Sequence, residues 1–172
     1  MKQIAVLVLV CLGLMAGPVF AETQKIGYVD LQKAMNLSFA GKEAKEKIQA
    51  KVKTYEGEAQ QRQEELQKLK EDLEKQAMLL SEEARSSKER DYQQKVKEYQ
   101  RFTKDIQETL QQTDADLTRK ILEALLTVVQ GVGKDEGYAM ILEKTESSLV
   151  YADDSIDITD LVIKAYNDQA DK

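Results

Sequence analysis

The sequence predicts a mainly α protein with a small β body, in which a long antiparallel helical-hairpin (coiled-coil) arm projects from a short-stranded oligomerisation body. Three observations predict it. Apolar residues recur in alternating steps of four and three through the middle of the chain, the signature of a coiled-coil seam. Short β-branched and aromatic runs stand only toward the two ends. Beyond the first 21 residues there is no Pro, Cys, His or Trp, so nothing breaks a long helix or staples a compact fold.

The leader comes first. Lys2 is a short basic region, Ile4 to Met15 is apolar, and Val19-Phe20-Ala21 is a small-x-small cleavage site. Residues 1–21 therefore read as a cleaved signal peptide, and the mature chain is expected to begin near Glu22 and to be periplasmic and soluble. Cys11 stands inside the apolar run rather than closing it, which argues against a lipidated cysteine.

Residues 22–41 read as part of the body. Lys25 to Leu31 (KIGYVDL) is a strand pattern, and Asp30 can cap a short helix over Leu31 to Leu37 before Ser38 to Gly41 resets the chain.

Residues 42–117 read as the arm. Ile48, Val52, Tyr55, Ala59, Arg62, Leu66, Leu69, Leu73, Gln76 and Leu80 form one seam. Tyr92, Val96, Tyr99, Thr103, Ile106, Leu110, Thr113 and Leu117 form a second. Between them Ser81 to Ser87 offers a reversal, with Ser81 as cap and Glu82 and Glu83 in the first turn of the returning helix, placing the tip near residues 81–88.

Residues 118–172 return to the body. Ile121, Leu122, Leu125, Leu126, Val128, Val129 and Val132 make a broader apolar face than a two-stranded seam needs. The helix is expected to stop at Gly131-Val132-Gly133. Strands follow at Tyr138 to Leu142 (YAMIL) and Leu149 to Ala152 (LVYA) around a turn at Thr145 to Ser148, and Asp157 or Thr159 can cap a final helix. Three short strands and two small helices make a thin core for one chain, so identical neighbours are expected to complete it.

Composition excludes much. Without His or Cys in the mature chain there is no ordinary zinc site, no Cys–His nucleophile and no imidazole base, so no enzyme and no cofactor is expected. The whole chain carries a net charge of −6. Lys42 to Lys104 holds 16 Lys and Arg against 14 Asp and Glu, whereas Asp105 to Lys172 holds 6 against 15. An acidic chain repels phosphate at long range, which argues against nucleic acid as a partner. Gly131 to Lys134 imitates a phosphate loop but follows a helix and lacks the Ser or Thr after Lys. Asp153, Asp154, Asp157 and Asp160 lack the alternating ligands, glycine and closing Glu of a calcium loop.

Gly27-Tyr28-Val29-Asp30 with Asn36 to Gly41 opens the mature chain, and LLSEEARSSKE stands at the tip. Tyr151-Ala152-Asp153 with Asp157-Ile158-Thr159-Asp160 closes it. In this order around a charged heptad hairpin, the mature chain resembles the Skp/OmpH family over essentially its whole length. The resemblance implies a trimer: strands of three subunits form the body, and three arms enclose a cavity. It also implies an ATP-independent holdase that keeps unfolded outer-membrane proteins from aggregating. The family's arms have been linked to lipopolysaccharide or anionic lipid through basic residues, and the acidic charge of this chain argues against that contact.

Candidate residues follow. Met78 and Leu79 lie off the seam and either pack into the tip turn or stand exposed to bind clients. Tyr55 and Tyr99 fall on the seam and either join the helices or touch clients. Tyr28, Ile121, Leu125, Val128 and Val129 are the expected oligomer interface. Gly57 is the one glycine from Lys42 to Gln130, an expected flexure point or a tolerated neutral residue. The alternative function is a structural coiled-coil spacer or scaffold in the periplasm.

Overall fold

The computed structural model describes residues 24–76 and 78–170. The signal-peptide reading of residues 1–21 falls outside them. The protein is mainly helical with one small sheet. In chain order the elements are β1 (Lys25–Val29), α1 (Leu31–Leu37), α2 (Phe39–Gln76), α3 (Glu82–Asp135), β2 (Tyr138–Glu143), a 3-10 turn (Asp154–Ile156) and α4 (Thr159–Ala170).

Local chemistry sets the corners. Asp30 is extended, and its carboxylate accepts from the Lys33 N–H at 2.7 Å, capping α1. Ser38 then breaks the path with extended backbone, donating its hydroxyl to the Met35 carbonyl at 3.0 Å and accepting from the Gly41 N–H at 3.2 Å. The chain resumes as helix directly at Phe39, three residues before the expected start at Lys42. Gly41 is required there, because a Cβ would overlap the Met35 carbonyl.

At 1.5 Å per residue, the 38 residues of α2 run about 57 Å and the 54 residues of α3 about 81 Å. Polar and cation–aromatic contacts join them along their length, Lys51 with Thr113, Arg62 with Phe102, and Gln76 with Lys88. Each advance along α2 is matched by an equal retreat along α3, so the two helices run in opposite directions in one register. Among the described residues, 78–81 lie between them outside any helix. Ser81 caps α3, accepting from the Ala84 N–H at 3.3 Å, with Glu82 and Glu83 in the first turn favoured by the helix dipole.

Two expectations fail here. The long helix does not stop at Gly131 to Gly133 but runs on to Asp135, because Val128 and Val132 are both buried on its inner face and their burial outweighs the low helix propensity of glycine. The turn is made instead at Gly137, whose φ of +72° is the left-handed conformation that closes helices, while Glu136 N–H bonds back to the Val132 carbonyl at 3.0 Å. Leu149 to Ala152 forms no strand: Val150 is 99% and Tyr151 83% exposed. Strand propensity yields a strand only where the segment pairs with an edge, and among the described residues this segment pairs with none.

The sheet of the described residues has two strands. β1 and β2 pair in parallel, Ile26 opposite Met140 through Val29 opposite Glu143, with an irregularity after Lys25 opposite Tyr138. A parallel pair needs a long crossover, and here both long helices lie in it. On its other side β1 takes a bridge between Tyr28 and Asp157, with the Ile158 N–H donating to the Tyr28 carbonyl at 2.9 Å. One core holds these pieces together: Val29, Ala34, Ala44, Ile121, Leu125, Val128, Val132, Ile158 and Val162 are buried in one cluster. Among the described residues, no side chain between Ala44 and Ile121 is buried.

Candidate functional site

The most distinctive sequence pieces turn out to be joinery. The Asp30 N–H donates to the Thr159 hydroxyl at 2.9 Å, Lys33 pairs with Asp160 at 3.0 Å, and Lys144 pairs with Asp30 at 3.8 Å. The Tyr28 hydroxyl meets the Asp154 carboxylate at 3.5 Å. Asp153 accepts from the Ser155 N–H and Asp157 from the Thr159 N–H, each spanning two residues as a local turn. Hydrogen bonds from Ser155 hold the Asp153 carboxyl below the usual range. Burial works to raise Asp157, but the bonds from Thr159, with Lys33 and Lys144, outweigh it and leave the carboxyl lowered. These acids therefore sew the two ends of the chain together. Among the described residues, no group of three or more His, Cys, Asp or Glu is placed to hold a metal ion.

The seam between α2 and α3 is covered only halfway. Tyr55 and Tyr99 are half-buried within it, as are Val52, Leu66, Leu69, Val96 and Ile106. The seam shifts at one place. Thr103 is exposed and Phe102 turns inward, and the Arg62 guanidinium lies 4.1 Å from the Phe102 ring centre. A cation over an aromatic face explains how an arginine is accommodated at a seam position. The heptad count missed Phe102 because it is a one-residue slip in the three–four alternation; the signal was the aromatic beside a polar seam residue. Across the same stretch, Arg62, Glu65, Leu66, Leu69, Lys95, Glu98 and Tyr99 line a small cleft.

At the turn between the helices Met78 is 99% and Leu79 85% exposed. They do not pack into the turn, which is closed by backbone: the Leu79 and Leu80 N–H groups both donate to the Gln76 carbonyl, at 2.9 and 3.1 Å. Lys88 adds a 2.7 Å bond to the Gln76 side chain. Gly57 is exposed within α2, and a Cβ there would meet nothing within 4 Å.

The expected oligomer face is placed differently. Tyr28, Ile121, Leu125 and Val128 are buried inside this chain's own fold, and Val129 is half-buried against the same core. The broad face is broad because β2, α1 and α4 pack against it from within, so Ile121, Leu125 and Val128 are not at the surface and Val129 is only partly there. What stays open is a different set, which was not among the expected interface residues: Leu122 and Leu126, the outer part of the same apolar face on α3, Ile26 and Met140 as neighbours across the sheet, and Val150 with Tyr151. Among the described residues, no helix is long and apolar enough to cross a membrane.

The family model described as outer membrane protein (OmpH-like) matches residues 25–166. The crystal structure of a protein from Caulobacter crescentus CB15, assigned as an OmpH-like outer membrane chaperone, is similar in fold, with a TM-score of 0.80 at 18% identity over 89% of this chain and 88% of that one. No curated protein matches the sequence.

Proposed function

The chain belongs to the OmpH-like outer membrane protein family, and we propose on that premise that it is a non-enzymatic periplasmic chaperone, a holdase that binds unfolded outer-membrane proteins and needs no ATP. The observation that carries this reading is the division of the molecule. Among the described residues every buried side chain lies in or around one small core, and between Ala44 and Ile121 the paired helices offer length, a half-covered seam and an exposed apolar tip. Such a surface suits many weak contacts with a changing partner better than one tight site.

In this reading residues 42–117 are an arm, with residues 22–41 and 118–172 forming the body. Three copies join through their bodies and enclose the client between the arms. The open edge of β2 and the bare Val150–Tyr151 segment support this assembly, since an unpaired edge and an exposed β-prone run favour pairing with another copy. The acidic charge leaves lipopolysaccharide and nucleic acid outside the proposal.

The test is aggregation. An outer-membrane barrel protein unfolded in urea is diluted into buffer with chelator and no nucleotide, and light scattering is followed with and without the mature chain. Stoichiometric amounts are expected to suppress scattering for several unrelated barrels. No suppression would leave the spacer reading, and suppression only with ATP would contradict the proposed mechanism.

A further inference from the structure

We propose that Met78 is a peroxide-sensitive modification site, whose conversion to the sulfoxide weakens the grip of the arm tip on its client. The inference rests on the chaperone reading above and adds a form of control to it.

Three methionines follow residue 21: Met35, Met78 and Met140. Met35 packs against the core, Met140 is half-exposed beside Ile26 on the sheet, and Met78 is 99% exposed. The one cysteine is Cys11 in the leader, so oxidation at sulfur in the mature chain falls on methionine. Access ranks Met78 first.

The chemistry is a two-electron oxygen transfer. A thioether lone pair attacks one oxygen of hydrogen peroxide, the S–O bond forms as the O–O bond breaks, and the departing hydroxide takes the proton from the sulfur-bound oxygen and leaves as water. Sulfur is oxidised and the peroxide reduced, and no further reactant is needed. A thiol-dependent methionine sulfoxide reductase reverses the step, its dithiol becoming a disulfide as water is released.

The tip tolerates the change. Its turn is held by the Leu79 and Leu80 N–H groups, the Lys88–Gln76 bond and the Ser81 cap, none of which uses the thioether. The sulfoxide therefore leaves the helices in place while turning half of the Met78–Leu79 apolar pair polar. A surface that binds by adaptable apolar contact loses strength when its thioether gains an oxygen.

The mature protein is treated with dilute hydrogen peroxide, oxygen uptake is mapped by peptide mass, and dissociation of a bound unfolded barrel protein is timed. Wild type is compared with Met78→Leu, which cannot be oxidised at this position, and Met78→Gln, which carries a polar group without oxidant. Met78 is expected to take up oxygen first, with helicity unchanged and client dissociation about three- to tenfold faster. Met78→Leu should resist, Met78→Gln should release quickly without peroxide, and reductase with dithiol should restore wild type. Equal or faster oxidation of Met35 or Met140 would overturn the inference, as would unchanged dissociation once Met78 carries its oxygen. If unoxidised wild type holds no client, the chaperone reading fails and this inference with it.

Discussion

Asp30 and Thr159, 129 residues apart in the chain, meet through a 2.9 Å hydrogen bond in which the Asp30 backbone N–H donates to a threonine hydroxyl with no exposed surface. Asp30 ends β1 and caps α1, while Thr159 opens α4, so one bond fixes the corner where the first and last parts of the fold meet.

Thr159→Val keeps the shape of the side chain but leaves the Asp30 N–H without its acceptor. A buried donor left unpaired costs about 1–3 kcal/mol. Urea unfolding should show a loss in that range, with Thr159→Ser regaining most of it. A valine variant as stable as wild type would show that the bond is incidental.

Leu125 is wholly buried at the centre of the cluster on α3, whereas Leu79 stands in solvent at the tip. Leu125→Ala should cost about 2–5 kcal/mol through lost burial and a cavity. Leu79→Ala should stay within about 0.5 kcal/mol. Equal losses in the two would contradict the division between core and tip.

The fold was legible wherever the signal was local. The Asp30 and Ser81 caps, the YAMIL strand and most of the seam could be read directly, because side chain and backbone interact within a turn. Gly131 and Gly133 imitate a helix end in the sequence, but the role of Gly133 is tertiary: a Cβ there would stand only 3.2 Å from the Ile141 side chain, so the glycine allows β2 to pack close to α3, whereas a Cβ on Gly131 would meet nothing within 4 Å. The face from Ile121 to Val129 could not be assigned to core or partner from period alone, since both need the same apolar stripe. The bare Val150–Tyr151 run shows the converse, a strand pattern that pairs with no strand among the described residues.

Two glycines should respond oppositely to alanine. At Gly57 a methyl group meets nothing and removes an entropic cost, so Gly57→Ala should raise stability by up to about 1 kcal/mol. At Gly41 the same change drives a Cβ into the Met35 carbonyl and should destabilise the α1–α2 corner. Thermal unfolding of both variants checks this, and a stabilised Gly41→Ala would contradict the geometry. If Gly57 also serves as a flexure, its alanine variant should hold a narrower size range of clients.

Acid should loosen the joinery. Asp153 and Asp157 both have lowered pKa values in the folded chain, so their contribution is complete above the ordinary carboxylate value of about 4 and disappears as pH falls through the lower folded value. Melting temperature should hold level from pH 7 to pH 5 with respect to these groups and drop below pH 4. Asp157→Asn should flatten part of that drop. A slope unchanged in this variant would remove Asp157 from the acid response.

The central claim is that copies of this chain assemble and hold an unfolded barrel protein between them, and the mass of the mature protein in solution, alone and with such a client, tests it most directly. A trimer is expected alone, and a complex of one trimer with one client in chelator and without nucleotide. A monomer at micromolar concentration, or a trimer whose mass does not change when the unfolded barrel protein is added, would contradict it.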